Sequence, residues 1–383
     1  MSISPSLRFS DTNSFRLFTE GVQALQSFER TAKKEALQTA AERFHECVSN
    51  YRDVLPRLYL GIVRTYQGEA FDEAVALLQD VLNRNIPELS ATAKYYMAEA
   101  LVSAYGAQQI AQADELLEQV ISDRAASLAD HLRAEGLRTF NYVRQNLWRK
   151  RATLDDLASE EREAARRMED FKTHLNGAEV PEDLKASLSA DYWNVEGLLN
   201  EFRATRVPEG PARKPLIETS LAAFEGAVTY GANRADAKSN QARVQFDLAH
   251  DAEAATRLCY EVLELRENDS FAYLLLGRMS ESNRPADAVG YYEKAEAKYK
   301  EAALGAGRSY EKLDKLNEAI AAFASVPTSD RRFGEASFYI GALYERLHKT
   351  DDALKAYALV PASDKEFFEK AEHAIATLKS TPR

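Results

Sequence analysis

The sequence lacks the features that mark several large classes of protein. It contains 2 cysteines, Cys47 and Cys259, which lie far apart in amphipathic helical patterns and therefore exclude a disulfide-rich scaffold. No stretch of about 18 apolar residues occurs, so a membrane-spanning helix is not expected. Residues 1–15 contain no apolar run either, and we expect neither a signal peptide nor a membrane anchor. A cytoplasmic location is the resulting expectation.

Catalytic and metal-binding signatures are equally scarce. The 6 histidines do not fall at metal-ligand spacings with cysteine or with one another. The sequence has no nucleophile elbow, phosphate-binding glycine loop, dinucleotide-binding turn or zinc-protease helix. Cys47 stands where a second helix has a small residue and Cys259 where it has an aromatic, so we expect buried side chains rather than reactive thiols. We therefore expect no enzyme activity, no cofactor and no metal.

The residues that are present indicate a folded, helical protein. Hydrophobic residues make up 45% of the chain and charged ones 28%, which favours a folded chain over a disordered one. The net charge of -11 works against indiscriminate binding to nucleic acid or anionic lipid. With 383 residues, the chain exceeds the roughly 250–300 residues that one core supports. Several domains or a repeat array are expected.

An internal repeat with a period of about 34 residues is visible in the C-terminal third. Six residues return at one constant offset: Gly307, Tyr310, Ala319, Phe323, Val326 and Pro327 recur as Gly341, Tyr344, Ala353, Tyr357, Val360 and Pro361. The apolar residues of each half-unit fall at i, i+4 and i+7, which predicts two helices per unit. Only a short turn fits between them, so the two helices must be antiparallel neighbours.

This pattern resembles the tetratricopeptide repeat family, whose unit is a helix pair of about 34 residues with a small residue and an aromatic at fixed places. Weaker copies are visible upstream, for example around Gly61 and Ala74 and around Trp193 and Gly197. The resemblance implies an all-α, right-handed superhelical solenoid of antiparallel helix pairs. It also implies that the first helices of successive units line a binding groove.

We predict three parts along the chain. Residues 1–125 form divergent N-terminal repeats, and residues 126–180 form long, charged connecting helices. Residues 181–383 form a C-terminal array with an inserted loop at 203–215 and a capping helix at 364–378.

Candidate binding residues follow from the resemblance. The predicted groove carries polar side chains on the first helices: Asn194, Asn240, Arg278, Arg308, Glu311 and Arg346. Arg278 and Arg308 each follow the glycine of adjacent units, and two such guanidinium groups suit an acidic peptide. The alternative is that these are solvated charges paired with nearby glutamates. The chaperone-binding positions of the family hold Leu304 and Arg308 or Phe338 and Ala342 here, so that clamp is not expected.

A basic patch offers a second candidate surface. It comprises Arg144, Arg149, Lys150 and Arg151, with Arg133 and Arg138 upstream. These cations could meet an acidic partner or a phosphate backbone, or they could complement the negative end of a helix.

The sequence therefore predicts a non-catalytic scaffold or adaptor that binds protein partners, as peptides or helices, through the groove. The first alternative is a sensor or regulatory subunit that binds a peptide or signal and controls a separate enzyme. A weaker alternative is a helical repeat protein that contacts nucleic acid. The partner, the oligomeric state and the pathway are left open.

Overall fold

A computed structural model describes residues 7, 9–31, 33–68, 70–104, 106–147, 154–230, 235–296 and 299–380. The described residues fold into helices and connecting turns. They fall into two compact units, unit 1 (1–249) and unit 2 (250–383). The all-helical prediction is confirmed, and the predicted division of the chain into three parts stays a prediction.

Unit 1 contains the described helices α1 to α11. Their bounds are α1 (Thr12–Thr31), α2 (Lys34–Asn50), α3 (Val54–Gln67), α4 (Phe71–Asn83), α5 (Pro87–Ala104), α6 (Gly106–Ser122), α7 (Leu128–Asn146), α8 (Leu154–Gly177), α9 (Glu182–Arg206), α10 (Lys214–Tyr230) and α11 (Ala235–Asp247). Within unit 1, each of these helices packs against the next one. The bounds of α9 and α10 leave a connection at 207–213.

Unit 2 contains the described helices α12 to α19. Their bounds are α12 (Ala252–Leu265), α13 (Ser270–Ser280), α14 (Pro285–Glu296), α15 (Glu301–Lys312), α16 (Leu316–Ala324), α17 (Phe333–Arg346), α18 (Thr350–Ala358) and α19 (Lys365–Ser380). The odd-numbered helices α13, α15 and α17 are the first helices of the repeat pattern. Consecutive helices again pack against each other.

In several pairs a glycine of the first helix lets the two helices pack closely. The Cα of Gly341 faces the ring of Tyr357, and a methyl group at this Cα would lie 2.5 Å from Cε1 of that ring. Gly307 faces Phe323 in the same way. In the described part of the chain, six glycines face an aromatic ring on the second helix of their own pair: Gly21, Gly136, Gly197, Gly277, Gly307 and Gly341. The small residue and the aromatic residue of the repeat thus pack against each other and hold the two helices together.

The turn between the two helices has the same geometry in the pairs α15–α16 and α17–α18. Asp314 and His348, which hold equivalent positions in consecutive units, both adopt a left-handed conformation, with φ of 57° and 56°. In each turn the following backbone N–H bonds back to a tyrosine carbonyl, from Lys315 to Tyr310 at 3.0 Å and from Lys349 to Tyr344 at 2.9 Å. The same local geometry in both units fixes the angle at which the second helix leaves the first.

Candidate functional site

Side chains from three first helices of unit 1 meet around one arginine. Tyr66 comes from α3, Tyr95 and Tyr96 come from α5, and Arg133 comes from α7. The Tyr66 and Tyr96 rings are edge to face with centroids 6.2 Å apart, and those of Tyr95 and Tyr96 are 4.9 Å apart. Tyr96 is buried, while the other three side chains are half-buried. We call these four residues the Arg133 site.

Arg133 makes one weak contact with an acidic side chain of its own helix. Its Nη1 lies 3.7 Å from Oδ1 of Asp130, one turn earlier on α7, which is longer than a hydrogen bond. Asp130 itself is buried and accepts hydrogen bonds from Ser127 Oγ at 2.7 Å and from Thr92 Oγ1 at 3.2 Å. Its oxygens are thus satisfied without the guanidinium.

The tyrosines and the arginine influence each other electrostatically. Burial acts to lower the pKa of Arg133, but the oxygens of Tyr96, Tyr95 and Tyr66 outweigh it and raise that pKa above its ordinary value. Burial raises the pKa of Tyr96 to about 12, although the charge of Arg133 opposes the shift. The site therefore holds a permanent cation among neutral phenols at neutral pH.

Carboxylates surround the site at longer range. Burial raises the pKa of Glu29. Arg133 acts to lower this pKa, and Asp183 acts to raise it. Burial, and then Glu99 and Asp191, raise the pKa of Tyr95. The acids come from α1, α5 and α9, so the positive charge of Arg133 lies among carboxylates.

A different arrangement occurs in unit 2, where the arginines are paired. Glu281 accepts hydrogen bonds from Arg308 Nε at 2.9 Å and from Tyr292 Oη at 2.8 Å. Burial raises the pKa of Glu281, but the bonds from Arg308 and Tyr292 outweigh it and lower that pKa. Arg308 Nη1 also lies 3.5 Å from Glu335. The guanidinium thus links α13, α15 and α17.

Each unit contains further polar pairs. Arg346 on α17 donates to Glu311 on α15 at 2.9 Å and to Asp314 at 3.0 Å. In unit 1, Asn240 Nδ2 donates to Asn194 Oδ1 at 3.1 Å. These polar groups therefore pair between neighbouring first helices.

Comparison with known proteins identifies the fold. No protein-family model matches the sequence, and no curated protein matches it. A monomeric IFIT1 variant with m7Gppp-AAAA is similar over 94% of this chain and 71% of that protein, with 15% identity and a TM-score of 0.50. The human IFIT1 dimer with m7Gppp-AAAA is similar over 95% of this chain and 72% of that protein, at 16% identity and a TM-score of 0.47. For yeast Tom70 the shares are 96% and 97%, the identity 11% and the TM-score 0.37.

The likeness to the IFIT1 variant, together with the glycine-to-aromatic packing of the helix pairs, settles the architecture. This chain has the tetratricopeptide-repeat fold. Within the described residues, no helix is both long enough and apolar enough to cross a membrane. The same residues contain no group of three or more His, Cys, Asp or Glu that could hold a metal ion.

The predicted groove residues of the tetratricopeptide array lie in separate places. Asn194 and Asn240 meet in unit 1, whereas Glu311 and Arg346 meet in unit 2. In unit 2, both Arg308 and the exposed Arg278 act to lower the pKa of Tyr292, against the larger raising effects of burial and Glu281. Both arginines therefore act on the same tyrosine. Their role in binding stays a prediction.

The predicted basic patch is described only at its first member. Arg144 lies in the last turn of α7, where its Nη1 is 3.5 Å from the carbonyl oxygen of Val102. Arg149, Lys150 and Arg151 lie outside the described residues.

Sequence reasoning missed one tetratricopeptide-like pair and the site that it supports. Gly136 of α7 faces the ring of Phe171 on α8, where a methyl group on the glycine would lie 2.9 Å from the ring. These two residues are 35 positions apart, against 16 for Gly341 and Tyr357, so a search at the regular spacing does not join them. Recognising Gly136 as the packing glycine would have placed Arg133 on the face that meets the neighbouring first helices.

Proposed function

We propose that this chain is a non-catalytic adaptor that binds a protein partner through the Arg133 site. The observation that carries the proposal is the convergence of Tyr66, Tyr95 and Tyr96 on one half-buried arginine. Tyrosine and arginine are enriched among the few residues that supply most of the binding energy in protein interfaces, because they combine a large contact area with a polar group. Surface tyrosines also lose little conformational entropy when a partner orders them.

The arrangement of charge supports unit 1 over the predicted groove in unit 2. Arg308 is bonded to Glu281 and lies beside Glu335, and Arg346 is bonded to Glu311. A ligand would have to break these pairs before it could bind either arginine. Arg133 has its nearest carboxylate at 3.7 Å and can accept a new partner without losing a hydrogen bond.

The test is affinity purification of the tagged full-length chain from its native cell, followed by mass spectrometry. The test variant is Tyr95→Ala, which removes a half-buried ring from the site. The matched control is Tyr230→Ala at the end of α10, where the tyrosine is 51% exposed. Helicity of each variant is checked by circular dichroism.

We expect a partner that the wild type and Tyr230→Ala retain and that Tyr95→Ala loses. A partner lost only when Arg278 and Arg308 are both changed to Ala would place binding in unit 2. A partner list that none of these variants alters would contradict the proposal.

Nucleic acid is a second candidate ligand, favoured by one observation. Aromatic rings beside an arginine can stack on bases, and the structure of the IFIT1 variant contains m7Gppp-AAAA. The carboxylates of Glu29, Glu99 and Asp191 around the site oppose a phosphate backbone. Retention on a nucleic-acid column that falls steeply with salt would favour this candidate. No retention at low salt would reject it.

A further inference from the structure

Arg133 occupies a helix position that is uncharged in the other described helix pairs with a packing glycine. It lies three residues before Gly136, the glycine that faces the second helix of its pair. Gly61, which faces Leu78, belongs to the same set. The residues three before the other packing glycines are Phe18, Leu58, Asn194, Leu274, Leu304 and Phe338. The three leucines among them are buried, with 2–3% exposure. A charge at this position is therefore not a requirement of helix packing.

The guanidinium of Arg133 has donors to spare. Within the described part of the chain its one charged neighbour in ion-pair range is Asp130, at 3.7 Å. The Asp130 oxygens are already bonded to Ser127 and Thr92. The Arg133 side chain is 30% exposed, so a ligand can reach it. A guanidinium has five N–H donors, and leaving them unbonded in a partly buried place is unfavourable.

The neighbouring hydroxyl groups can serve the same ligand. The Tyr66 and Tyr96 oxygens lie 3.5 Å apart, a weak contact that leaves both hydroxyls able to donate. The two phenols interact electrostatically with Arg133, and two phenols with a guanidinium form a donor set for an anion. A planar carboxylate suits the fork of an arginine, which it can engage through both oxygens.

The surrounding acids restrict which anion fits. Glu29 and Glu99 lie near enough to raise the pKa of Tyr96, Asp191 that of Tyr95, and Asp183 that of Glu29. A polyanion such as RNA would be repelled by them, whereas a single carboxylate flanked by cations would pair with both signs of charge. The site is therefore complementary to a mixed-charge peptide.

We propose that the Arg133 site binds the carboxylate of an aspartate or glutamate side chain in a partner segment whose neighbouring residues are lysine or arginine. This inference rests on the proposed adaptor function and names the chemistry of its ligand. Arg133 pairs with the carboxylate, the Tyr66 and Tyr96 hydroxyls donate to it, and the surrounding acids select the basic neighbours.

The experiment is a selection from a random dodecapeptide display library on the full-length wild-type chain, with affinities then measured on synthetic peptides. The variants are Arg133→Leu, which restores the residue found at this position in other pairs, and Arg133→Gln as a second variant that keeps a polar group. The control, Arg278→Ala with Arg308→Ala, removes the two predicted groove arginines of unit 2. Circular dichroism confirms that each variant is folded.

We expect enriched peptides with one acidic residue between basic ones. Exchanging that acid for its amide should weaken binding to the wild type by about tenfold to a hundredfold. The same exchange should change binding to Arg133→Leu and Arg133→Gln less than about twofold, and the unit 2 control should behave as the wild type does.

Several outcomes would overturn the inference. Enriched peptides without an acid, an acid whose exchange affects the wild type and the Arg133 variants equally, or no enrichment would each reject it. Displacement of the peptide by a short RNA at lower concentration than by a free glutamyl peptide would reassign the site to nucleic acid. If Tyr95→Ala loses the cellular partner but both Arg133 variants keep it, the adaptor function stands and the carboxylate inference fails.

Discussion

The hydroxyl of Tyr357 donates a hydrogen bond to the carboxylate of Glu345, which lies four residues after the glycine that the tyrosine ring covers. The same relationship links Tyr292 to Glu281 at 2.8 Å. The repeat between them has Phe323 in place of the tyrosine. There the equivalent glutamate, Glu311, is bonded to an arginine of the next first helix. The tyrosine thus adds a hydrogen bond to the glutamate within its own pair, which phenylalanine cannot make. Glu281 and Glu311 are each also bonded to an arginine of the next first helix.

This relationship predicts unequal effects of two matched substitutions. Tyr357→Phe should lower the free energy of unfolding by about 1–2 kcal/mol, since it removes a hydrogen bond to a charged group. Tyr292→Phe should have the smaller effect, because Glu281 keeps its bonds to Arg308. The midpoint of the urea transition measures both. Equal losses would show that the hydroxyls do not stabilise the glutamates in this way.

The packing glycines predict opposite signs for two glycine-to-alanine changes in unit 2. Gly341→Ala should destabilise the protein by about 1–3 kcal/mol, as overpacking does, since the new methyl group would lie 2.5 Å from the Tyr357 ring. Gly290→Ala, on α14, meets no atom within 4 Å and should stabilise the helix by about 0.5–1 kcal/mol. Urea denaturation of both variants provides the comparison. A neutral Gly341→Ala would mean that the ring can move aside.

These contacts also show what the sequence could predict. Gly341 and Tyr357 can be recognised as repeat positions in the sequence because the pattern of unit 2 recurs at a constant spacing. Gly136 and Phe171 make the same contact across a longer connection, and a search by spacing cannot align residues whose separation varies. Periodicity therefore reveals regular pairs, whereas the glycine contact reveals the irregular ones.

The two cysteines should react slowly with thiol reagents in the native protein. The prediction that both are buried is confirmed, with exposures of 1% for Cys47 and 0% for Cys259. Burial raises their pKa values to about 11 and about 12, so the reactive thiolate is scarce at neutral pH. We expect native rates at least about a hundredfold below those in denaturant. Fast modification of the native protein by a thiol-specific dye would contradict this.

The Arg133 site should make stability depend on alkaline pH. Burial raises the pKa of Tyr96 to about 12 from 10.0, so the folded state holds the phenolic proton more tightly than the unfolded state. The stabilising contribution is then complete below pH 10 and is lost as pH rises toward 12. Tyrosinate absorbance and helical circular dichroism should change together in this range. Tyr96→Phe should move the transition to higher pH, and Tyr230→Phe should not.

The Arg133 site could not be predicted from local sequence. Its tyrosines precede Arg133 by 37 to 67 positions, and each resembles the aromatic residues that pack repeats elsewhere. Only the stacking of α3, α5 and α7 brings their hydroxyl groups to one place. The predicted groove residues of unit 2 do lie on the expected first helices. Their pairing with Glu281, Glu311 and Glu335 could not be predicted from the sequence, because it depends on side-chain contacts.

Arg133 and Arg243 should respond in opposite ways to replacement by leucine. Arg243 Nη2 lies 2.5 Å from Glu201, which is 4% exposed. Arg243→Leu therefore leaves a buried carboxylate without this cation and should destabilise the protein by about 3–5 kcal/mol. Arg133→Leu removes a charge whose nearest carboxylate, on Asp130, is satisfied by Ser127 and Thr92. It places leucine where other pairs bury leucine, so the free energy of unfolding should stay equal or rise by about 1 kcal/mol.

Urea denaturation of the two leucine variants separates structure from binding at Arg133. If Arg133 serves ligand binding at the expense of packing, Arg133→Leu should be at least as stable as the wild type and should bind the ligand more weakly. A loss above about 2 kcal/mol for Arg133→Leu would instead show that the guanidinium holds α7 to its neighbours, and the tyrosines around it would then be its structural partners.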